Sequence, residues 1–287
     1  MHCNYIEVTT PKLDLKDIER SITKTYKSVL FTPFLKAITE YNLVEPNDKI
    51  AVAISGGKDS LLLAKLFQEL KRHNKFPFEV VFLSMDPGFI ELNRNQLLSN
   101  CEHLNIPLSV EESHIFDVVG KIAKENPCYL CAKMRRGFLY QKAKELGCNK
   151  LALGHHMDDV IETTLLNVFY AGQFGTMVPK IKAENFDDIE LIRPLFYVEE
   201  KDIIRWVKYS GIQAMNCGCT VAALKTSSKR REMKELVEKM KAFNPDVAKS
   251  IFKSAENVNL EAILGYKNKN KKTHFNEIYD KKGKLDE

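Results

Sequence analysis

Ser55-Gly56-Gly57-Lys58-Asp59-Ser60 packs more potential chemistry into six residues than any other stretch of this sequence. It follows the apolar run 50–54 and leads into an amphipathic pattern over 61–70, which spells strand, glycine turn, helix. Two glycines let the backbone fold so that its N–H groups converge, and the helix that follows turns its positive end toward an anion. Ser55 and Ser60 add hydroxyls, and Lys58 adds a cation. The spacing is neither that of a Walker A loop nor that of a dinucleotide fingerprint. A bare Ser-Gly-Gly would be an ordinary strand-to-helix turn; with Asp59 and Ser60 in place, a phosphate-binding loop is the better reading. Further along, Gly154-His155-His156-Met157-Asp158-Asp159 ends another apolar run and opens a helical one. One of these aspartates is expected to cap that helix, which leaves the other for Mg2+ or for a proton. His155 and His156 read equally well as hydrogen-bonding wall residues.

Cysteine is the other reactive residue type. Cys128 and Cys131 form C-x-x-C, and Cys217 and Cys219 form C-x-C far downstream. One C-x-x-C is ambiguous among zinc, a redox dithiol and iron-sulfur ligation, and four thiolates would also satisfy a structural zinc. Lys133, Arg135 and Arg136 follow the first pair on an expected helix start. They could hold a phosphate or developing negative charge, or form a solvated basic face. Cys101 and Cys148 stand alone in helical patterns, where a buried thiol is the ordinary explanation, and Cys3 has no metal-ligand company either.

The elements that must position these groups follow from pattern and composition. Of 287 residues, 44% are hydrophobic and 28% charged, and no apolar run approaches the roughly 20 residues that span a bilayer. No leader segment is recognisable and the seven cysteines are odd in number, so a cytoplasmic chain is expected and a secreted disulfide framework is not. A net charge of +5 leans mildly toward a polyanionic partner. Residues 1–47 read as a helical lead-in that ends at Glu45-Pro46-Asn47-Asp48. Residues 48–215 alternate short β-branched runs, at 50–54, 80–85, 108–110, 151–154 and 189–192, with amphipathic segments. That alternation predicts an α/β domain with a doubly wound, mostly parallel sheet. In such a sheet the loop after 108–110, taken to carry Cys128 and Cys131, and the segment after residue 215 meet above the carboxyl edge. Trp206 is expected on the buried side of a helix over 201–209. Residues 216–265 carry the second cysteine pair and helices at 229–243 and 245–258, and 266–287 reads as a disordered lysine-rich tail.

Three segments together, 55–60, 127–137 and 153–159, with Ile192-Arg193-Pro194-Leu195 and Lys201-Asp202-Ile203 in support, resemble the tRNA 2-thiocytidine biosynthesis family of PP-loop ATP pyrophosphatases. That family is related to the tRNA 2-thiouridine synthetases, and the resemblance runs over residues 25–258. It implies ATP cleavage between the α and β phosphates, adenylation of the C2 oxygen of a pyrimidine, and replacement of that oxygen by sulfur. By the same resemblance Ala53, Ser55, Gly56, Gly57, Lys58, Asp59, Ser60, Met85, Gly154 and His155 bind ATP with Mg2+, and Asp59, Lys133, Arg135 and Asp159 are catalytic. It also implies a [4Fe-4S] cluster on Cys128, Cys131 and one downstream cysteine. The family's Pro-Cys-x-x-Cys is Asn216-Cys217-Gly218-Cys219 here, so Cys217 is the first choice and Cys219 the second. The implied partners are tRNA and a cysteine desulfurase or other sulfide source, and the relatives suggest a homodimer. The alternatives are a 2-thiouridine synthetase, a PP-loop ligase that uses an amine, and a zinc-containing tRNA-binding protein without activity.

Overall fold

The computed structural model describes residues 8–73, 75–113, 115, 127–183, 185–186, 188–215, 228–268 and 271–282. Two compact units divide the chain, Met1–Leu236 and Val237–Glu287. The first begins with helix α1 (Leu15–Thr23), a π-helical turn (Lys27–Phe31) and α2 (Thr32–Glu40). Ile18, Ile22, Leu30 and Phe34 of this lead-in are fully or almost fully buried. Trp206, buried as expected, donates its indole N–H to Ser21 Oγ at 3.2 Å. The lead-in is therefore part of the domain's core.

Strand β1 (Lys49–Ala53) is followed by α3 (Lys58–His73), β2 (Glu79–Asp86), α4 (Glu91–His103), β3 (Leu108–Glu112) and α5 (Pro127–Glu145). Then come β4 (Lys150–Ala152), α6 (Met157–Ala171), β5 (Lys180–Lys182), β6 (Glu190–Ile192), α7 (Glu200–Ser210) and α8 (Ser228–Lys241). The six strands lie in the order β3-β2-β1-β4-β6-β5, all parallel except β5, which runs antiparallel to β6 at the edge. The expected fold class stands. The chain moves one way from β1 to β3 and the other way from β4 on, so right-handed crossovers put the two sets of helices on opposite faces. Order reverses between β1 and β4, and open α/β sheets bind ligands beyond the carboxyl ends at that point. Helix α3, with Leu61 to Leu63, Leu66 and Phe67 all buried, is walled in on every side near its start. Tyr140 and Ala143 of α5 pack with Leu151, Leu191 and Ala51 over the middle of the sheet.

One local expectation needs correction and another needs refinement. Cys128 and Cys131 are not in a loop: α5 begins at Pro127, so Cys128 lies in its first turn and Cys131 starts its second, and the fixed φ of proline favours a helix start there. Neither aspartate caps α6 at its N-cap position, which is His156; Asp159 reaches back from the third helical position to accept from the His156 amide at 3.0 Å. Asp158 instead caps a different helix, accepting from the Glu200 amide of α7 at 2.7 Å.

The second unit takes in the end of α8, α9 (Val247–Ser254), a 3-10 turn (Leu260–Ala262), β7 (Gly265–Asn268), β8 (Lys271–His274) and α10 (Phe275–Lys282). Where composition suggests a disordered tail, β7 and β8 form an antiparallel hairpin with Thr273 buried. The lysines are exposed as their composition implies, and the order comes from backbone pairing, which composition does not register. No helix among the described residues is long and apolar enough to cross a membrane.

Candidate active site

The glycine turn lies where β1 ends and α3 begins. Gly56 adopts φ +79°, a left-handed conformation natural to glycine, and turns the chain through the bend. Ser60 closes the loop from inside: its Oγ accepts from the Ser55 amide at 3.2 Å and donates to Gly57 O at 2.9 Å. This hydroxyl is spent on shaping the loop. The amides of α3's first turn have no carbonyl one turn before them and face outward, as an anion requires. Lys58 extends from this turn between two carboxylates, Asp59 Oδ2 at 3.0 Å and Glu200 Oε1 at 3.1 Å. Burial works against its charge, and these two neighbours overcome that and hold its pKa above the usual value.

Across the turn, Gly154 lies hard against α3. A Cβ there would meet the Asp59 carbonyl carbon at 3.2 Å and Ser60 N at 3.3 Å, so the approach of β4's end to the phosphate loop needs glycine. His156 follows, buried, with Nε2 3.8 Å from Asp59 Oδ1 and 3.5 Å from Asp159 Oδ2. Burial depresses His155 to a pKa of about 4 against the pull of Asp159, so it is neutral at physiological pH. Burial tends to raise the Asp159 carboxyl, but His156 and His155 together bring it below the ordinary value.

Met85, near the end of β2, and Ile115 form a small apolar cluster against which Leu130, Met134 and Phe138 of α5 pack. Leu130 lies between Cys128 and Cys131, so the C-x-x-C turn sits beside the end of β2. On the other side, the Met215 amide donates to Gly56 O at 2.8 Å, two residues ahead of Cys217. Cys217 and Cys219 themselves, and the side chains of Cys128 and Cys131, lie outside the described residues.

One pattern stands out among the buried polar groups. Six buried side-chain atoms lack a hydrogen-bond partner among the described residues: Asp59 Oδ1, Ser84 Oγ, His155 Nδ1, His156 Nδ1, Arg193 Nε and Ser210 Oγ. The first five all belong to residues at the carboxyl edge of the sheet. Folded proteins satisfy such atoms almost everywhere, and a cluster of exceptions marks a place where a polar ligand completes the bonding.

The PP-loop domain family matches residues 16–216. The tRNA-cytidine(32) 2-sulfurtransferase of Syntrophotalea carbinolica is 37% identical over 231 residues, which is 80% of this chain and 88% of that protein. Its counterpart from Geobacter metallireducens is 36% identical over 233 residues, 80% of this chain and 89% of that protein. The chain belongs to the PP-loop tRNA-cytidine(32) 2-sulfurtransferase family. Among solved structures it resembles the U34-tRNA thiolase NcsA from Methanococcus maripaludis with its [4Fe-4S] cluster, with TM-score 0.60, 22% identity, and coverage of 84% of this chain and 77% of that one. That likeness concerns the fold.

Within this PP-loop domain the expected nucleotide residues converge: Ala53 ends β1, Ser55 to Ser60 form the turn and helix start, Met85 lies near the end of β2, and Gly154 and His155 follow β4. Asp159 joins them from α6. Lys133 and Arg135 stand on α5 beyond the C-x-x-C turn, and neither forms an ion pair among the described residues. Sequence reasoning missed Glu200, whose carboxylate bridges Lys58 and Lys234, the latter at 2.5 Å. Burial would raise the pKa of Glu200, yet the two lysines bring it down to about 2. It also missed Arg230 of α8, whose Nη1 lies 3.3 Å from Asp159 Oδ1 and 3.1 Å from Glu162 Oε2. Both stand too far from the loop in sequence for spacing to connect them. Cys101 and Cys148 are buried thiols, as expected, and burial pushes Cys101 to about 12, where it is a poor metal ligand.

Proposed function

We propose that this protein is an ATP-dependent tRNA thiolase that replaces the C2 oxygen of a cytidine with sulfur. The observation that carries this reading is the gathering of unsatisfied polar atoms around a glycine loop at the sheet's carboxyl edge, beside the C-x-x-C turn, in a chain 36–37% identical to tRNA-cytidine(32) 2-sulfurtransferases. The loop amides and Lys58 hold the pyrophosphate end of ATP, and Met85, Gly154 and His155 flank the nucleoside end. Mg2+ is taken to arrive with ATP, held by the phosphates and a carboxylate. Asp59 Oδ1, buried and without a donor, is the carboxylate oxygen that suits it.

The C2 oxygen of the base attacks the α-phosphorus of ATP and pyrophosphate leaves. The resulting AMP ester turns a poor electrophile into a good one, and sulfide attack at C2 then expels AMP. Lys133 and Arg135 stabilise charge on the RNA or on the departing phosphate, and Asp159, kept ionised, handles a proton or orients the base. A [4Fe-4S] cluster on Cys128, Cys131 and Cys217, or Cys219 in its place, would supply a site where sulfide is held for delivery. Thiolate chemistry suits such a cluster, and the described neighbours of the two cysteine pairs support it: Leu130 packs on the Met85–Ile115 cluster and the Met215 amide bonds Gly56 O. A cysteine desulfurase is the natural sulfur source, and the cytoplasm the natural compartment.

Nucleoside mass spectrometry of total tRNA from cells with and without the gene tests the reading. Loss of 2-thiocytidine alone supports it. Unchanged thionucleosides would reject it and favour the amine-using PP-loop ligases.

A further inference from the structure

Arg193 follows β6 and takes no part in the phosphate loop, yet it occupies the same edge. Its backbone amide donates to Pro179 O at 2.9 Å and its Nη1 to Val178 O at 2.5 Å, which fix the side chain from one side. The residue is only 9% exposed, and its Nε is buried without a partner. Among the described residues no carboxylate lies within ion-pair distance of it. Its charged neighbours are Arg136 on α5 and Asp159 on α6, with the Tyr140 hydroxyl beside them; burial and Arg136 together lower the guanidinium's pKa to about 10. Asp159 does not neutralise it, being engaged by the His156 amide and by Arg230. His155 Nδ1, also without a partner, belongs to the same edge.

A buried guanidinium with a free donor, near a second one, is unfavourable unless an anion completes the group. The planar fork suits the paired oxygens of a phosphate. Position narrows the choice: β6 is two strands from β1, about 10 Å at ordinary strand spacing. The loop at β1 holds the pyrophosphate end, so Arg193 faces the other side of the reaction, where AMP and the RNA meet.

We propose that Arg193 is a substrate-binding residue that holds a phosphate-ester oxyanion of the reacting complex: the AMP phosphate on the activated base, or the RNA phosphate beside the target nucleotide. The identity of that phosphate rests on the thiolation reading; the anion site does not. The test compares wild type, Arg193→Gln and Arg193→Lys in steady-state thiolation of tRNA from a gene-deleted strain, with direct binding of AMP and of that tRNA. Loss of a charge-assisted hydrogen bond predicts a fall of about 10- to 100-fold in kcat/KM for Arg193→Gln, with Arg193→Lys intermediate. A fall in kcat with weaker AMP binding assigns the AMP phosphate. Weaker tRNA binding, with the salt dependence of log affinity reduced by about one, assigns the RNA phosphate. Activity and both affinities within twofold of wild type in folded Arg193→Gln would overturn the proposal. Should Arg193→Gln not fold, the same result in Arg193→Lys would overturn it. A wild type that binds AMP but thiolates nothing, with binding lost in Arg193→Gln, would reject the thiolation reading and keep the site.

Discussion

Replacing Gly56 with alanine sets two costs against each other at one position. Its φ of +79° is a left-handed conformation, which an L residue occupies at a cost of about 1–2 kcal/mol. The new Cβ would also lie 2.4 Å from Met215 Sδ and 3.1 Å from Met215 Cγ, with Leu97 Cδ1 at 3.3 Å. Met215 is buried and its backbone is tied to Gly56 O, so only its thioether end can move, at a further cost of about 1–2 kcal/mol in packing and rotamer strain. The expected loss is about 2–4 kcal/mol, and at about 2–4 °C per kcal/mol in a chain of this size the midpoint falls by roughly 4–16 °C. Gly172 provides the control: it has φ +60° with nothing within 4 Å of a Cβ, so Gly172→Ala carries the conformational cost alone. Met215→Ala opens the space that the new methyl needs, so Gly56→Ala combined with Met215→Ala should recover about 1–2 kcal/mol relative to additivity. Denaturant unfolding of the four variants gives the energies, and ATP titration shows whether the shifted loop amides still bind phosphate; at least tenfold weaker binding is expected for Gly56→Ala and none for Gly172→Ala. Equal destabilisation of the two glycine variants with unchanged ATP affinity would refute the assigned contact between the loop and the 215 segment.

Three further outcomes follow from buried charges. His155, at about 4 when folded against an ordinary 6.5, takes up its proton later than the unfolded chain does; stability should fall as pH drops from 6.5 to 4, by up to about 3 kcal/mol, and denaturation of His155→Gln across that range should lack this slope. Glu200, at about 2 against 4.5, contributes stability above pH 4.5 that is lost as pH falls toward 2, so Glu200→Gln should cost at most about 3 kcal/mol at pH 7 and little near pH 2 in urea titrations. Glu19→Gln removes the carboxylate 2.6 Å from the buried Lys65 amine and leaves Gln68 Oε1 and Leu104 O as its acceptors. It should cost about 3 kcal/mol with ATP affinity unchanged, and adding Lys65→Met should restore part of that; an unchanged midpoint for Glu19→Gln would remove this pair from the account of how α1 is held to α3.

Which parts of this site were legible in sequence depends on how the chain reaches the sheet edge. The glycine loop is contiguous: apolar β1, two glycines and the start of α3 occupy neighbouring positions, so periodicity and composition report the geometry directly. Gly154 and Asp159 are legible for the same reason, one strand further on. By contrast β5, Lys180-Ile181-Lys182, is three residues long with two of them lysine, and its Ile181 is substantially exposed, so the edge strand leaves no hydrophobic signal. Asp158 looks like a cap for its own helix and caps α7 instead, because the two helix starts meet at the edge while standing 42 residues apart.

Glu200 and Arg230 belong to the same class as Asp158. Reversal of strand order between β1 and β4 brings the starts of α3, α6 and α7 to one place, and each helix delivers its first turn there. Helix starts favour carboxylates, which is why Asp59 and Glu200 flank Lys58 and Asp159 stands beside His156. With so much negative charge at these helix starts, the cations that balance it must come from elsewhere in the chain, and Arg230 and Lys234 of α8 supply them. Segment 216–227, which carries Cys217 and Cys219, thus runs between Met215, bonded to the phosphate loop, and a helix whose first turns pair with Asp159 and Glu200. The same topology that makes the nucleotide site therefore ties both ends of the downstream cysteine segment to it, a constraint that no local motif could have carried.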